Sequence, residues 1–401
     1  MIRAVVEQHA EDAAFLWTLR CHSLGRSSGS LADLEQNDER IEANLDGLRI
    51  AGAAGERVAL AALHGGETGE VFVAAVLALT SPREAMLSKL LDSAPQDALG
   101  EGLAGAVEWL PPSKVDSAIE RLRRAPSNAT QRALLAAHVA HGVDGRATLH
   151  AALLADDPSL VGAALRAIGA LGQRDLSPAL RAGLDSSERA SRFAAAWSAT
   201  LLGDPTARAT LRAMAEHASD LAESAASVAV LGLDPTEAAS WVDALTKSAA
   251  HRRVAIRAVA ALGDPRFLDS LLEWLDDARV ARLAADAITT LTGMAIAGEL
   301  SMPPPIASSD EDDADSDEHL AWPSPDAVRA ACADIRIRLQ PATRYVLGRP
   351  ATPGFLREAL LRGRHPERAR AAFELARGGA RLFDTSAPFP RQERALAAIG
   401  A

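Results

Sequence analysis

His138, His141 and His150 form the densest set of potential metal ligands in this chain. His138 and His141 stand one helical turn apart, so both imidazoles project from one side of a helix, a spacing that zinc sites use. Acid partners are missing: no His-Glu dipeptide and no HExxH occurs anywhere, so structural or surface histidines are the stronger reading. His9, among Glu7, Glu11 and Asp12, reads as part of a solvated polar helix face. Asp310, Asp312 and Asp315 lie in an acidic run without the glycine and closing glutamate of a calcium loop. Cys21 and Cys332 are too few and too far apart for a disulfide framework or a metal cluster, and read as free buried thiols. No P-loop and no strand-borne GxSxG or GxGxxG is present. The glycines of Gly100-Glu-Gly-Leu-Ala-Gly105 fall inside a helical stretch and do not make a phosphate loop. No catalytic residue, metal or cofactor is therefore expected.

A nucleic-acid enzyme is the alternative. Trp197, Trp241 and Trp274, with Arg181, Arg208 and Arg212, are the residue types that a DNA-glycosylase-like concave face uses. Two features oppose it. Residues 142–298 carry more acids than bases, which repels phosphates. Tryptophan at helical spacing is also more often core than a base platform.

These side chains must be carried by helices. Of the 401 residues, 48% are hydrophobic but only 4% aromatic, which suits close-packed small helices and not a β-sandwich. The net charge of −11 is uneven: residues 299–319 hold eight acids and no base, and residues 320–401 hold fourteen arginines against seven acids. Lysine is confined to Lys89, Lys114 and Lys247, a skew that reads as a GC-rich genome. The N-terminus lacks a signal peptide's apolar core, and no apolar run reaches the roughly 18 residues of a membrane span. A cytoplasmic protein is expected, with no membrane partner and no nucleic-acid partner.

Glycine and proline recur with a period near thirty. Pro82, Pro112, Pro205, Pro235 and Pro265 share one grid, and Gly142, Gly172, Gly203, Gly232, Gly263 and Gly293 run just ahead of it. Such a period marks stacked helical hairpins. At each turn Gly ends the first helix as a left-handed cap, Asp caps the second, and Pro fixes its first dihedral. The predicted fold is all-α: an α-solenoid of antiparallel helix pairs. Residues 1–50 read as two N-terminal capping helices, the first with Phe15, Leu16 and Leu19 on its apolar stripe. The array spans 51–298. An acidic, proline-rich disordered loop covers 299–322. A basic helical cap covers 323–401, and within it residues 343–401 read as two worn repeats that cap the array.

Leu202-Gly-Asp-Pro205 and Leu262-Gly-Asp-Pro265 resemble the HEAT repeat, and Leu231-Gly-Leu-Asp-Pro235 matches with one insertion. Further stretches, Glu11–Trp17, Asp38–Arg49, Gly69–Phe72 and Leu347-Gly-Arg-Pro350, resemble a bacterial family of HEAT-repeat proteins encoded near type VI secretion components. That resemblance implies a non-catalytic scaffold or adaptor, whose partner is another protein such as a secretion-system effector or spike component. Second helices normally line the concave face of such arrays. Their polar positions Arg181, Arg212, Asp243, Lys247 and Glu273 are therefore candidate protein contacts, joined by Arg344 and Tyr345 in the C-terminal region.

Overall fold

The structure, a computed structural model, describes residues 3–24, 29–304 and 317–400. Asp310, Asp312 and Asp315, with residues 305–316 of the expected acidic loop and residues 25–28 of the break between the first two helices, lie outside the described residues. An N-terminal pair, α1 (Arg3–Leu24) and α2 (Leu31–Ala51), is followed by α3 (Ala53–Ala62). Paired helices then run α4 (Thr68–Thr80) with α5 (Glu84–Ser93), α6 (Gln96–Trp109) with α7 (Pro112–Arg123), and α8 (Asn128–His141) with α9 (Arg146–Leu153). They continue as α10 (Pro158–Ala170) with α11 (Ser177–Gly183), α12 (Arg189–Leu201) with α13 (Ala207–Glu216), and α14 (Ala222–Gly232) with α15 (Pro235–Thr246). The last are α16 (Arg252–Leu262) with α17 (Leu268–Glu273), and α18 (Ala281–Thr292) with α19 (Pro325–Arg338). A hairpin of β1 (Tyr345–Val346) and β2 (Arg349–Pro350) leads to α20 (Pro353–Arg362), α21 (His365–Arg377) and α22 (Phe389–Gly400). This is an all-α solenoid.

The turns form as their chemistry dictates. Gly142, Gly172, Gly203, Gly263 and Gly293 all have φ between +67° and +79°, the left-handed region open to glycine. Asp157, Asp234 and Asp264 accept from the backbone N–H two residues on, with proline at the first helical position. Gly232 departs from the pattern. The inserted Leu233 takes the C-cap position in an extended conformation, so Gly232 stays helical.

The first helices α4, α6, α8, α10, α12, α14, α16 and α18 pack successively on one another, while the second helices rest mainly on first helices. A stack of hairpins curves toward the row whose helices lie closer, so the first helices form the inner row. Small residues permit that closeness. A Cβ on Gly169 would lie 2.5 Å from Ser198 Oγ, one on Gly232 2.7 Å from Thr200 Cγ2, and one on Gly102 2.7 Å from Val71 Cγ1. Leu103, Leu165, Ile256 and Ile288 are fully buried here, each such side chain contributing roughly 1.5–3 kcal/mol. The glycines of 100–105 lie within continuous α6, where Gly105 also admits the Trp17 ring.

The C-terminal region runs back across the array. The β-hairpin sits on the ends of α16 and α18: Tyr345 N–H donates to Gly263 O (2.7 Å) and Leu347 N–H to Thr290 O (2.8 Å). Phe373 of α21 meets Trp197 of α12 edge to face, centroids 5.5 Å apart. Arg370 donates to Ala260 O (2.8 Å), and Arg364 pairs with Asp286 of α18 (2.6 Å). The segment ends on α1 and α2. Arg20 donates to Ser386 O and Ala387 O, and Asp38 accepts from Phe389 N–H (2.7 Å).

Several expectations are corrected. Residues 343–401 do not stack as end repeats but return along the inner row. That row is made of first helices, and the second helices lie on the other side. The signal was available: every residue from Val71 to Leu79 and from Ala281 to Thr292 is buried, and a helix apolar nearly all round is covered nearly all round. On α1, Leu16 is buried but Phe15 and Leu19 are 66% and 46% exposed. The buried face instead follows Val6, Ala10, Ala13, Trp17 and Arg20. His9 is not a solvated residue: its ring lies over Gly47 and its Nδ1 bonds Asn44 Oδ1 at 2.8 Å, joining α1 to α2.

Candidate functional site

Where the returning chain meets the N-terminal helices it closes a cleft of about 950 Å³. Local sequence sets each wall. α6 stops at Glu108-Trp109-Leu110 because Pro111 holds Leu110 extended, and Pro112 then starts α7. α8 ends at His141 because Gly142 takes the left-handed cap. α2 contributes its acidic face, and Pro388-Phe389-Pro390 opens α22 as the last wall.

Several of the charges here are paired. Arg49 binds Glu42 (2.6 Å) and Asp46 (2.7 Å), and Trp109 Nε1–H donates to Glu42 (2.6 Å). Arg83 binds Glu56 (2.8 Å). Arg391 binds Asp384 (3.1 Å) and donates to the Glu108 carbonyl (3.1 Å). Among the described residues the Glu108 side chain, half-buried, has neither hydrogen bond nor ion pair. It stands on the wall between this cleft and an inner chamber of about 400 Å³ that Cys21, Arg132 and Arg166 also line. Burial, and then the nearby Asp384, push its pKa up to about 7, against the pull of Arg391, Arg20 and Arg132. In the chamber, Arg166 stacks on Trp197 with its guanidinium carbon 3.3 Å from the ring centroid, and burial lowers it to about 10. Burial raises both Cys21 and Cys332 to about 11, which holds them as unreactive thiols at neutral pH.

The histidines do not converge. His138 Nδ1 bonds Val143 O, His141 Nε2–H donates to Val107 O (2.9 Å), and His150 is exposed on α9. Among the described residues no group of three or more His, Cys, Asp or Glu is placed to hold a metal ion. Trp197, Trp241 and Trp274 are all buried, and none offers a face for base stacking.

Of the sequence candidates, five lie on or at the end of second helices, and one of them, Asp243, shares a surface pocket with Arg344. Arg181 binds Asp204 (3.0 Å), Lys247 binds Asp243 (2.5 Å), and Arg212 approaches Glu237 (3.5 Å) while lying over Trp241. Glu273 is exposed at the end of α17. Arg344 and Tyr345 serve the fold: Arg344 donates to Leu262 O and binds Glu374 (2.9 Å), and Tyr345 is 5% exposed, its hydroxyl accepting from Gln340 N–H. Sequence reasoning missed Glu108, Trp109, Phe389 and Arg391. One signal existed: a glutamate in the last turn of a helix opposes the macrodipole, and Glu108 occupies that position beside two prolines.

Opposed pH dependences follow. A carboxyl raised from 4.5 to about 7 stabilises the fold fully below about pH 4.5 and loses that contribution as pH rises toward 7. Glu108→Gln should therefore match the parent near pH 4.5 and become the more stable by up to a few kcal/mol at pH 8. His365, lowered to about 4 chiefly by burial and then by Arg368 and Arg20, contributes fully above about pH 6.5 and less as pH falls toward 4. His365→Asn should remove that acid-side loss. Urea unfolding of the parent and both variants between pH 4 and 8 measures each slope.

The HEAT-repeat family profile matches residues 146–232, the span of α9 to α14. No curated protein and no solved structure gives a significant match. Among the described residues no helix is long and apolar enough to cross a membrane. Residues 146–232 are thus similar to HEAT repeats, helical units that commonly mediate protein interaction.

Proposed function

We propose that this protein is a non-catalytic scaffold that holds a partner protein in the cleft between α2, the α6–α7 turn and α22. The observation that carries this reading is the return segment. The inner row already receives a polypeptide, through side chains that reach backbone carbonyls and through buried aromatic contact, and the cleft is the recess which that polypeptide leaves open. Buried thiols and carbonyl-bound histidines leave little nucleophilic chemistry nearby. Arg181, Arg212, Asp243, Lys247 and Glu273 are an accessory contact surface on the outer row. An effector or spike component of a type VI secretion system is the partner that the sequence resemblance suggests.

Photo-crosslinking in cells tests this, with benzoylphenylalanine placed at Glu393 on the cleft rim and separately at Asp243. The expected result is one partner protein captured at 393. No protein adduct at 393 overturns the cleft assignment, and none at either position overturns the scaffold reading. A captured protein unrelated to secretion removes only the secretion role.

A further inference from the structure

We propose that the cleft recognises a short, arginine- or lysine-bearing peptide segment, whose cationic group is received by the Glu108 carboxylate. This rests on the scaffold reading and specifies the chemistry of the bound segment. Three features support it. At about 950 Å³ the cleft is at the top of the range, about 300–1,000 Å³, that encloses compact ligands; a peptide segment fits it and a folded domain does not. Part of its wall is apolar and stiff, with Trp109, Leu110 and Phe389 among prolines. Such walls hold the stem of a long cationic side chain and leave its charged tip to find a partner.

The third feature is the charge that the fold leaves unanswered. Arg49, Arg83 and Arg391 are neutralised within the walls. Among the described residues Glu108 has no such partner; the rim adds Glu35, Glu39 and Glu393, also without ion pairs, against Lys114 and Arg394. Glu108 is half-buried; withdrawing a carboxyl from water without a partner is costly, and a guanidinium supplies both the opposite charge and paired donors. The groups around Glu108 include Arg20 and Cys21 of α1, Arg132 and His141 of α8, Arg166 of α10, and Asp384 and Arg391 of the return segment. Two of the nearby cations already have acid partners, Arg20 in Asp38 and Arg391 in Asp384, while Arg132 donates to Ser159 Oγ and Arg166 stacks on Trp197. Binding of a cation drives Glu108 from carboxylic acid to carboxylate, and the proton leaves to solvent. Affinity must then rise with pH until Glu108 is ionised without ligand.

The test uses the full chain and fluorescence anisotropy. The probe is a labelled, acetylated hexapeptide of leucine and proline around one central arginine. Its controls are the same peptide with citrulline in place of arginine, and N-acetyl-arginine amide as a competitor. The arginine peptide is expected to bind at least about tenfold more tightly than the citrulline peptide. Its affinity should rise by up to about tenfold per pH unit between pH 5.5 and 7 and level off above. Glu108→Gln should lose both the preference and the pH dependence. Equal binding of the two peptides, or no binding of the arginine peptide at 1 mM, overturns the proposal without recourse to a protein variant. Competition by N-acetyl-arginine amide at equal concentration would assign the site to a small cation instead and overturn the peptide segment. The scaffold reading is judged separately: a partner crosslinked at 393 with no arginine preference sinks this inference alone, and arginine-selective binding with no crosslinked partner sinks the scaffold alone.

Discussion

Replacing Gly263 by alanine is expected to destabilise the protein by about 3 kcal/mol or more, whereas the same change at Gly172 should cost only about 1 kcal/mol. Both glycines cap first helices with nearly equal φ, +69° and +68°, so the intrinsic strain of a left-handed alanine is common to both. They differ in what lies beyond. At Gly172 an added Cβ meets nothing within 4 Å, but at Gly263 it would stand 2.2 Å from Tyr345 O and 3.0 Å from Arg370 Nη2. A backbone carbonyl cannot rotate away as a side chain can. The hairpin must therefore lift, giving up the Tyr345-to-Gly263 hydrogen bond and the Arg370 contact with Ala260 O. Gly293, 2.7 Å from Leu347 O by the same construction, should behave like Gly263. Urea midpoints of the three variants measure this. Equal costs at Gly172 and Gly263 would show that the return segment does not bear on the repeat turns.

Arg20→Ala and Asp38→Ala should each cost about 3–5 kcal/mol, and the double variant much less than their sum. The pair is nearly inaccessible and close, Arg20 Nε to Asp38 Oδ1 being 2.6 Å. Arg20 also donates to the Ser386 and Ala387 carbonyls, and Asp38 accepts from Phe389 N–H. Removing one partner leaves a buried charge unanswered and frees backbone groups of the return segment. Removing both leaves only the backbone groups. Amide exchange should accelerate over 386–392 in either single variant, with the helices α10 to α16 little changed. Additive costs would mean that the two residues act independently and that no latch exists.

The turn residues were legible because their physics is local. A glycine that must be left-handed, an aspartate that caps two residues on, and a proline at a first helical position act within a few residues, and all recur with the repeat. The single insertion before Asp234 was enough to move Gly232 back into its helix. The apolar stripe on α1 was misread because Phe15 and Leu19 are larger than the alanines that face the core. Neighbouring helices come close enough there to prefer small residues. Fourteen arginines beyond residue 320 suggested an external partner. Several of them, Arg344, Arg364 and Arg370, instead find carbonyls and carboxylates of the array itself. The opposite signs of array and tail were visible in the sequence, and they describe attraction within one chain.

The sequence by itself determined the helix pairs, their period and the all-α solenoid, since these follow from dihedral preferences and hydrophobic spacing along short stretches. Only the tertiary structure decided that the inner row is covered by the chain's own C-terminal region, and that Glu108 stands without a partner in a cleft built from both ends of the chain. Those facts depend on contacts such as Arg20 to Ala387, 367 positions apart. No local preference encodes such a contact, because it exists only after the repeats have stacked and carried the two ends together.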